Sequence, residues 1–164
     1  MFTWILGTND DWVITIVRVV LGVVFFAHGA QMALGWFGGA GLQSTVRTFR
    51  ENLHIPAPLA LLSVAVEFLG GLGLIVGLLS RVAAFGIAVV MSVALVVVHR
   101  KFGFFMNWFG EKQGHGIEYH VLVLALALTV MSKGAGAVSL DQVLYQHVSN
   151  QNGITLELGA GKGQ

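Results

Sequence analysis

Leu59–Leu79 reads LALLSVAVEFLGGLGLIVGLL, an apolar run whose one charge is Glu67. As a helix rising about 1.5 Å per residue, it spans roughly the 30 Å of a bilayer's hydrocarbon core. Working outward, Trp12–Leu34 is a second such run, interrupted by Arg18, His28 and Gln31. A third, Val82–Val98, follows the tight turn Ser80-Arg81, which makes the two neighbours antiparallel. A fourth begins near Ile117, is unbroken only from Val121 to Met131, and ends at Lys133. To cross the core it must include Glu118, Tyr119 and His120 or extend through 134–138. The pattern predicts an all-α integral membrane protein: an antiparallel four-helix transmembrane bundle within residues 1–148, with spans at about 12–34, 59–79, 82–98 and 117–133. Residues 149–164 are read as a C-terminal tail.

Composition agrees. Of 164 residues, 55% are hydrophobic and 10% charged, and mean hydropathy is +0.79. A soluble domain carries about 25% charged residues, so this chain lacks the surface to stay in water. The lipid bilayer is its first partner. Four spans leave short loops and no room for a separate soluble catalytic domain. Asp10 and Asp11 precede the first run where a signal peptide would be basic, so that run reads as a retained span. The net charge of +1 is scattered, which argues against nucleic acid. With no cysteine, disulfides, thiolate metal sites and a cysteine nucleophile are excluded.

Between the first two spans, a glycine-rich turn leads into Leu42–Leu53. There Val46, Phe49 and Leu53 alternate with Arg47, Arg50 and Glu51 near helical spacing. This predicts a short interfacial helix. Phe102, Phe104, Phe105, Trp108 and Phe109 suit the headgroup layer. Ser139-Leu140-Asp141-Gln142 has the capping-box pattern and should start a short C-terminal helix to about Val148. Call the end of the bundle that carries Arg81 end B and the opposite end A. Outside the spans, end A carries Arg47, Arg50, Arg100, Lys101 and Lys112, against Arg81, Lys133 and Lys162 at end B. Five against three is too thin a margin to orient the chain.

Charge inside hydrocarbon costs about 2.5–3.5 kcal/mol on insertion scales, so ionisable residues there face a partner or a cavity. His28 lies roughly 9 Å and Glu67 roughly 12 Å below end A, while His99, Glu118 and His120 sit at the same end. Four helices thus bring His28, Glu67, His99, Glu118 and His120 toward one half of the bundle, as a ligand or proton site. The plainer alternative is structural: the histidines bond neighbouring carbonyls, and Arg18, roughly 9 Å from end B, forms an ion pair with Glu67. Glu118 and His120 stand 200° apart on a helix, which weakens them as a shared ligand pair. Gly70 and Gly71 lie on the face of Glu67, and Gly73-x-x-x-Gly77 has the small-residue spacing of close helix packing. No Walker loop and no H-E-x-x-H zinc motif occurs, and no metal site is expected. Axial haem ligation by His28 and His99 is compatible with a four-helix bundle, although nothing in the sequence demands it.

These residues resemble the DoxX family. The resemblance rests on Arg18 and Phe26-Ala-His28-Gly29 in the first span, and on Glu67-Phe-Leu-Gly70-Gly71 with Gly77 and Arg81 across the second. Gly116-Ile-Glu118-Tyr119-His120 opens the fourth, and Gly134-Ala-Gly136-Ala-Val-Ser139-Leu140-Asp141 closes the pattern, which covers about Trp12 to Leu144. The resemblance implies a bacterial inner-membrane, multi-pass protein, similar to the DoxD subunit of thiosulfate:quinone oxidoreductase and linked to redox partners. Relatives often carry lysine soon after the His-Gly pair. Here Gln31 stands in that region and no lysine occurs, which counts against an anionic substrate.

Two readings follow. In the first, the chain is a quinone-interacting subunit: His28 and His99 donate to the quinone headgroup, Glu67 and Glu118 relay protons, and the redox centre lies on a partner. In the second, it is a non-catalytic membrane anchor or assembly scaffold for a partner protein. A small-solute transporter is a third, weaker reading, since four short spans form a pore only as a homo-oligomer.

Overall fold

The computed structural model describes residues 2–8, 10–110 and 113–151. Of the tail expected at 149–164, residues 149–151 end the last helix and the rest lies outside the described residues, as do Lys112 and Lys162. Among the described residues the chain is all helix and turn, with no strand. In order come α1 (Phe2–Leu6), α2 (Trp12–Leu34), α3 (Gly41–Asn52), α4 (Ala57–Val76), α5 (Ser80–Ala94), α6 (Glu118–Lys133) and α7 (Leu140–Gln151). After Ala94, α5 continues through a π turn (Leu95–His99) and a 3-10 turn (Arg100–Phe102). Three helices are long and apolar enough to cross a membrane: Trp12–Leu34, Ala57–Val76 and the continuous helix Ser80–Phe102. With 16 residues, α6 is about 24 Å long, short of that length.

The long helices form a ring in which α2 packs on α4, α4 on α5, α5 on α6 and α6 on α2. Each has two faces at helical spacing. Along α2, Ile14, Arg18, Leu21 and Phe25 are buried, while Val13, Ile16, Val20 and Val23 point outward. Along α5, Ser80, Ala84, Ile87 and Met91 face in, and Val82, Phe85, Val89 and Val93 face out. The outer face is therefore as apolar as the core of Leu21, Phe25, Leu74, Ile87, Met91, Val123 and Val130. Such a surface suits lipid rather than water.

The tightest seam joins α2 and α4. A Cβ on Gly71 would lie 2.3 Å from the Phe26 nitrogen, and one on Gly29 2.4 Å from the Phe68 backbone. Gly22 meets Leu74 and Ile75 in the same way, so residue numbers fall along α4 as they rise along α2. The packing glycines are thus Gly22, Gly29 and Gly71. Gly73 and Gly77, expected to form the close contact, do other work. A Cβ on Gly73 would meet only the Leu78 carbonyl, at 3.0 Å. Gly77 ends α4 in the left-handed conformation at φ 72°, against Ser139 and the Arg18 guanidinium, where a side chain fits neither the backbone nor the space. Gly70 faces Ala83 of α5 at ordinary contact distance, 3.8 Å.

Helix ends at end B are closed by residues distant in sequence. Arg18, 1% exposed, donates from Nε to the Ala135 carbonyl (2.7 Å), and from its terminal nitrogens to Leu74, Ile75 and Val138 carbonyls. It therefore caps the last turn of α4, whose final carbonyls have no partner within the helix. It does not pair with the Glu67 carboxylate. Asp141 does the reverse for α5, accepting from the Leu79 (2.6 Å) and Ser80 (2.9 Å) amides, which the helix cannot satisfy itself. Arg81 donates to the Met131 and Ser132 carbonyls at the end of α6 and to Gly7, and sits 5.1 Å over the Trp4 ring. Ser139 Oγ accepts from the Gln142 amide (3.2 Å) to start α7.

Candidate functional site

End A gathers the polar residues of α2, α4, α5 and α6. Gly29 lets the α2 backbone approach α4 at Glu67–Phe68. Glu67 is 7% exposed. From α6, Tyr119 and His120 both turn toward this region. They stand 100° apart, close enough for two successive side chains to address one space. The Tyr119 ring lies 6.4 Å from the His28 ring.

His120 faces the fourth element. Its ring centroid is 4.2 Å from that of His99 and 5.7 Å from Tyr119. The π turn at Leu95–His99 places His99 there. Its wider i→i+5 winding rotates the residues beyond it relative to a continued α-helix. His99 Nδ1 lies 2.9 Å from the His115 carbonyl. A carbonyl only accepts, so Nδ1 is the donor in this contact.

Glu118 leaves the group. Its carboxylate accepts from the Met106 amide at 3.0 Å and so anchors the 103–117 loop onto the start of α6. Backbone bonds from Ile117 to Gly103 (3.1 Å) and from Glu118 to Phe104 (2.9 Å) fasten the same loop. The structure thus brings His28, Glu67, His99 and His120 to one end, turns Glu118 aside, and adds Tyr119. Tyr119 belongs to the motif that opens the fourth span but was not among the residues expected at the site. Its position next to His120, a 100° step, was the signal available.

Two atoms define what this arrangement can do. Tyr119 Oη and His120 Nδ1 are buried and have no hydrogen-bond partner among the described residues. Buried polar atoms are normally paired, and each unpaired one costs about 1–3 kcal/mol. A ligand with two hydrogen-bonding oxygens would satisfy both. No cluster of three or more His, Asp or Glu side chains among the described residues could hold a metal ion. The outer edge of the group is open, since His28 is exposed while Glu67 and His120 are buried.

Comparison with known proteins gives the family. The DoxX family model matches residues 13–100. The chain is also similar to a Bacillus subtilis (strain 168) protein named "Putative oxidoreductase CatD", at 26% identity over 137 residues, which covers 84% of this chain and 90% of the relative. No solved structure matches it.

Proposed function

This chain is a membrane protein of the DoxX family, and from that premise we propose that it is a quinone-interacting subunit of a bacterial inner-membrane redox complex. In this reading α2, α4, α5 and α6 cross the bilayer as an antiparallel four-span bundle. The fourth span is completed by the loop residues either side of α6, and α3 lies at the interface. The ring packing of α6 between α5 and α2 supports this. The name of the Bacillus relative supports a redox role.

The observation that carries the proposal is the pair of buried, unpartnered atoms, Tyr119 Oη and His120 Nδ1, on rings that neighbour those of His28 and His99. A quinone is a neutral, lipid-soluble carrier of two electrons and two protons, with a carbonyl oxygen at each side of its ring. The Tyr119 hydroxyl donates to one such oxygen, and the His120 imidazole addresses the other. Glu67, buried in α4, and the exposed His28 form a path along which protons reach the outside. A neutral headgroup also agrees with the absence of lysine after His28-Gly29. The chain has no cysteine, and in this proposal electrons come from a partner protein.

The test is purification in mild detergent, lipid extraction and assay for quinone, followed by thermal melting with a short-chain quinone added. Copurified quinone and a raised melting temperature that His120→Ala abolishes are expected. No quinone in the extract and unchanged melting would defeat the reading and favour a scaffold whose polar residues only fix packing.

A further inference from the structure

We propose that the groove between α3 and α4 holds an anionic glycerophospholipid, its phosphate on Arg47 and Arg50 and its acyl chain along Leu42, Val46 and Leu61. The groove is separate from the histidine and tyrosine cluster and has a volume of about 550 Å³, within the ~300–1,000 Å³ range of small-molecule sites.

Its two walls differ in chemistry. Gln43, Arg47 and Arg50 recur at i, i+4 and i+7, so they form one stripe of α3. Leu42 and Val46 form the adjoining stripe, and Leu61 of α4 closes the other side. Beyond the groove, Leu62 and Leu69 of α4 are exposed as Leu61 is, an apolar surface against which the rest of an acyl chain can lie. The helix itself is held in place: Thr45 is buried and donates to the Met32 carbonyl, and α3 packs on both α2 and α4.

The two arginines are exposed and make no hydrogen bond or ion pair to another described residue. Glu51 also lines the groove, so its charge partly opposes the arginines. Two guanidinium forks three residues apart still match the geometry of phosphate oxygens, which accept bidentate bonds. Charge complementarity and the continuous apolar face together select an anionic lipid. A soluble phosphate would use the arginines and leave the leucine wall unused. A zwitterionic lipid would use the wall but gain little from the charge. Arg100 and Lys101 stand at the same end of the bundle and reinforce the local positive potential.

The test uses the full chain in non-ionic detergent, with bound lipid counted by native mass spectrometry. Phosphatidylglycerol and phosphatidylcholine of identical acyl chains are titrated separately. Wild type should retain the anionic lipid about 30-fold more tightly, from two arginines at the surface. The double substitution Arg47→Gln/Arg50→Gln should remove that preference. Leu61→Trp, which fills the groove and leaves the arginines intact, should weaken both lipids, and it carries the test if the double variant does not fold. Equal retention of the two lipids by wild type would overturn the proposal. So would a preference that survives loss of both arginines, or complete displacement of phosphatidylglycerol by millimolar inorganic phosphate, which would mark a soluble-anion site.

Discussion

Tyr119 has opposite effects on stability and on binding. Its hydroxyl is buried without a partner, so Tyr119→Phe removes an uncompensated polar group and should stabilise the ligand-free protein by about 1 kcal/mol. The same change removes a donor from the proposed quinone site and should weaken a short-chain quinone about tenfold. Parallel melting and binding titrations check both signs. A loss of stability would mean that the hydroxyl already has a structural partner. Arg18 behaves differently because it serves several carbonyls at once. Arg18→Met leaves those of Leu74, Ile75, Ala135 and Val138 short of donors, and should cost about 2–4 kcal/mol in chemical unfolding. Arg18→Lys should recover only part of this, because one ammonium cannot reproduce a planar fork reaching carbonyls on two segments.

Among the elements, the α2–α4 seam discriminates between adjacent glycines. Gly71→Ala places a methyl 2.3 Å from the Phe26 nitrogen, so the two backbones must part. Overpacking of this kind costs about 1–3 kcal/mol. Gly70→Ala meets Ala83 at 3.8 Å and should change stability by less than about 0.5 kcal/mol. Unfolding curves of the two variants side by side test the seam. Equal effects would show that α2 and α4 do not approach through Gly71. Seen from the sequence, Gly70 and Gly71 were equivalent, both within a turn of Glu67, because helical spacing places a residue on a face without saying which neighbour covers it. For the same reason Gly73-x-x-x-Gly77 looked like a packing motif, although Gly77 lies beyond the last residue of α4 and turns the chain toward α5.

The whole molecule offers a direct test of the four-span proposal, because the chain has no cysteine and any introduced thiol is unique. Single cysteines at Arg47 and Arg100, both at end A, should react with a membrane-impermeant reagent from one side of sealed vesicles. A cysteine at Lys133, at the opposite end of α6, should react only from the other. Labelling of all three from one side would show that α6 does not cross. The shortness of α6 makes this the informative helix, since α2, α4 and the continuous helix Ser80–Phe102 are long and apolar enough by themselves.

The membrane helices follow from composition and periodicity alone, because apolar length is a local property and lipid imposes a simple requirement on it. The presence of ionisable residues near one end was also legible, since depth can be counted along each helix. Which of them meet depended on the tertiary structure. Glu118 and His120 are two residues apart in sequence, yet one bonds the loop at Met106 and the other faces His99. Arg18 and Asp141 carry opposite charges and serve different helix ends, α4 and α5, through bonds to residues 56 to 120 positions away. Such partners are set by how the helices rotate and how close their backbones come. Those quantities depend on all four helices together, and no single stretch of sequence encodes them.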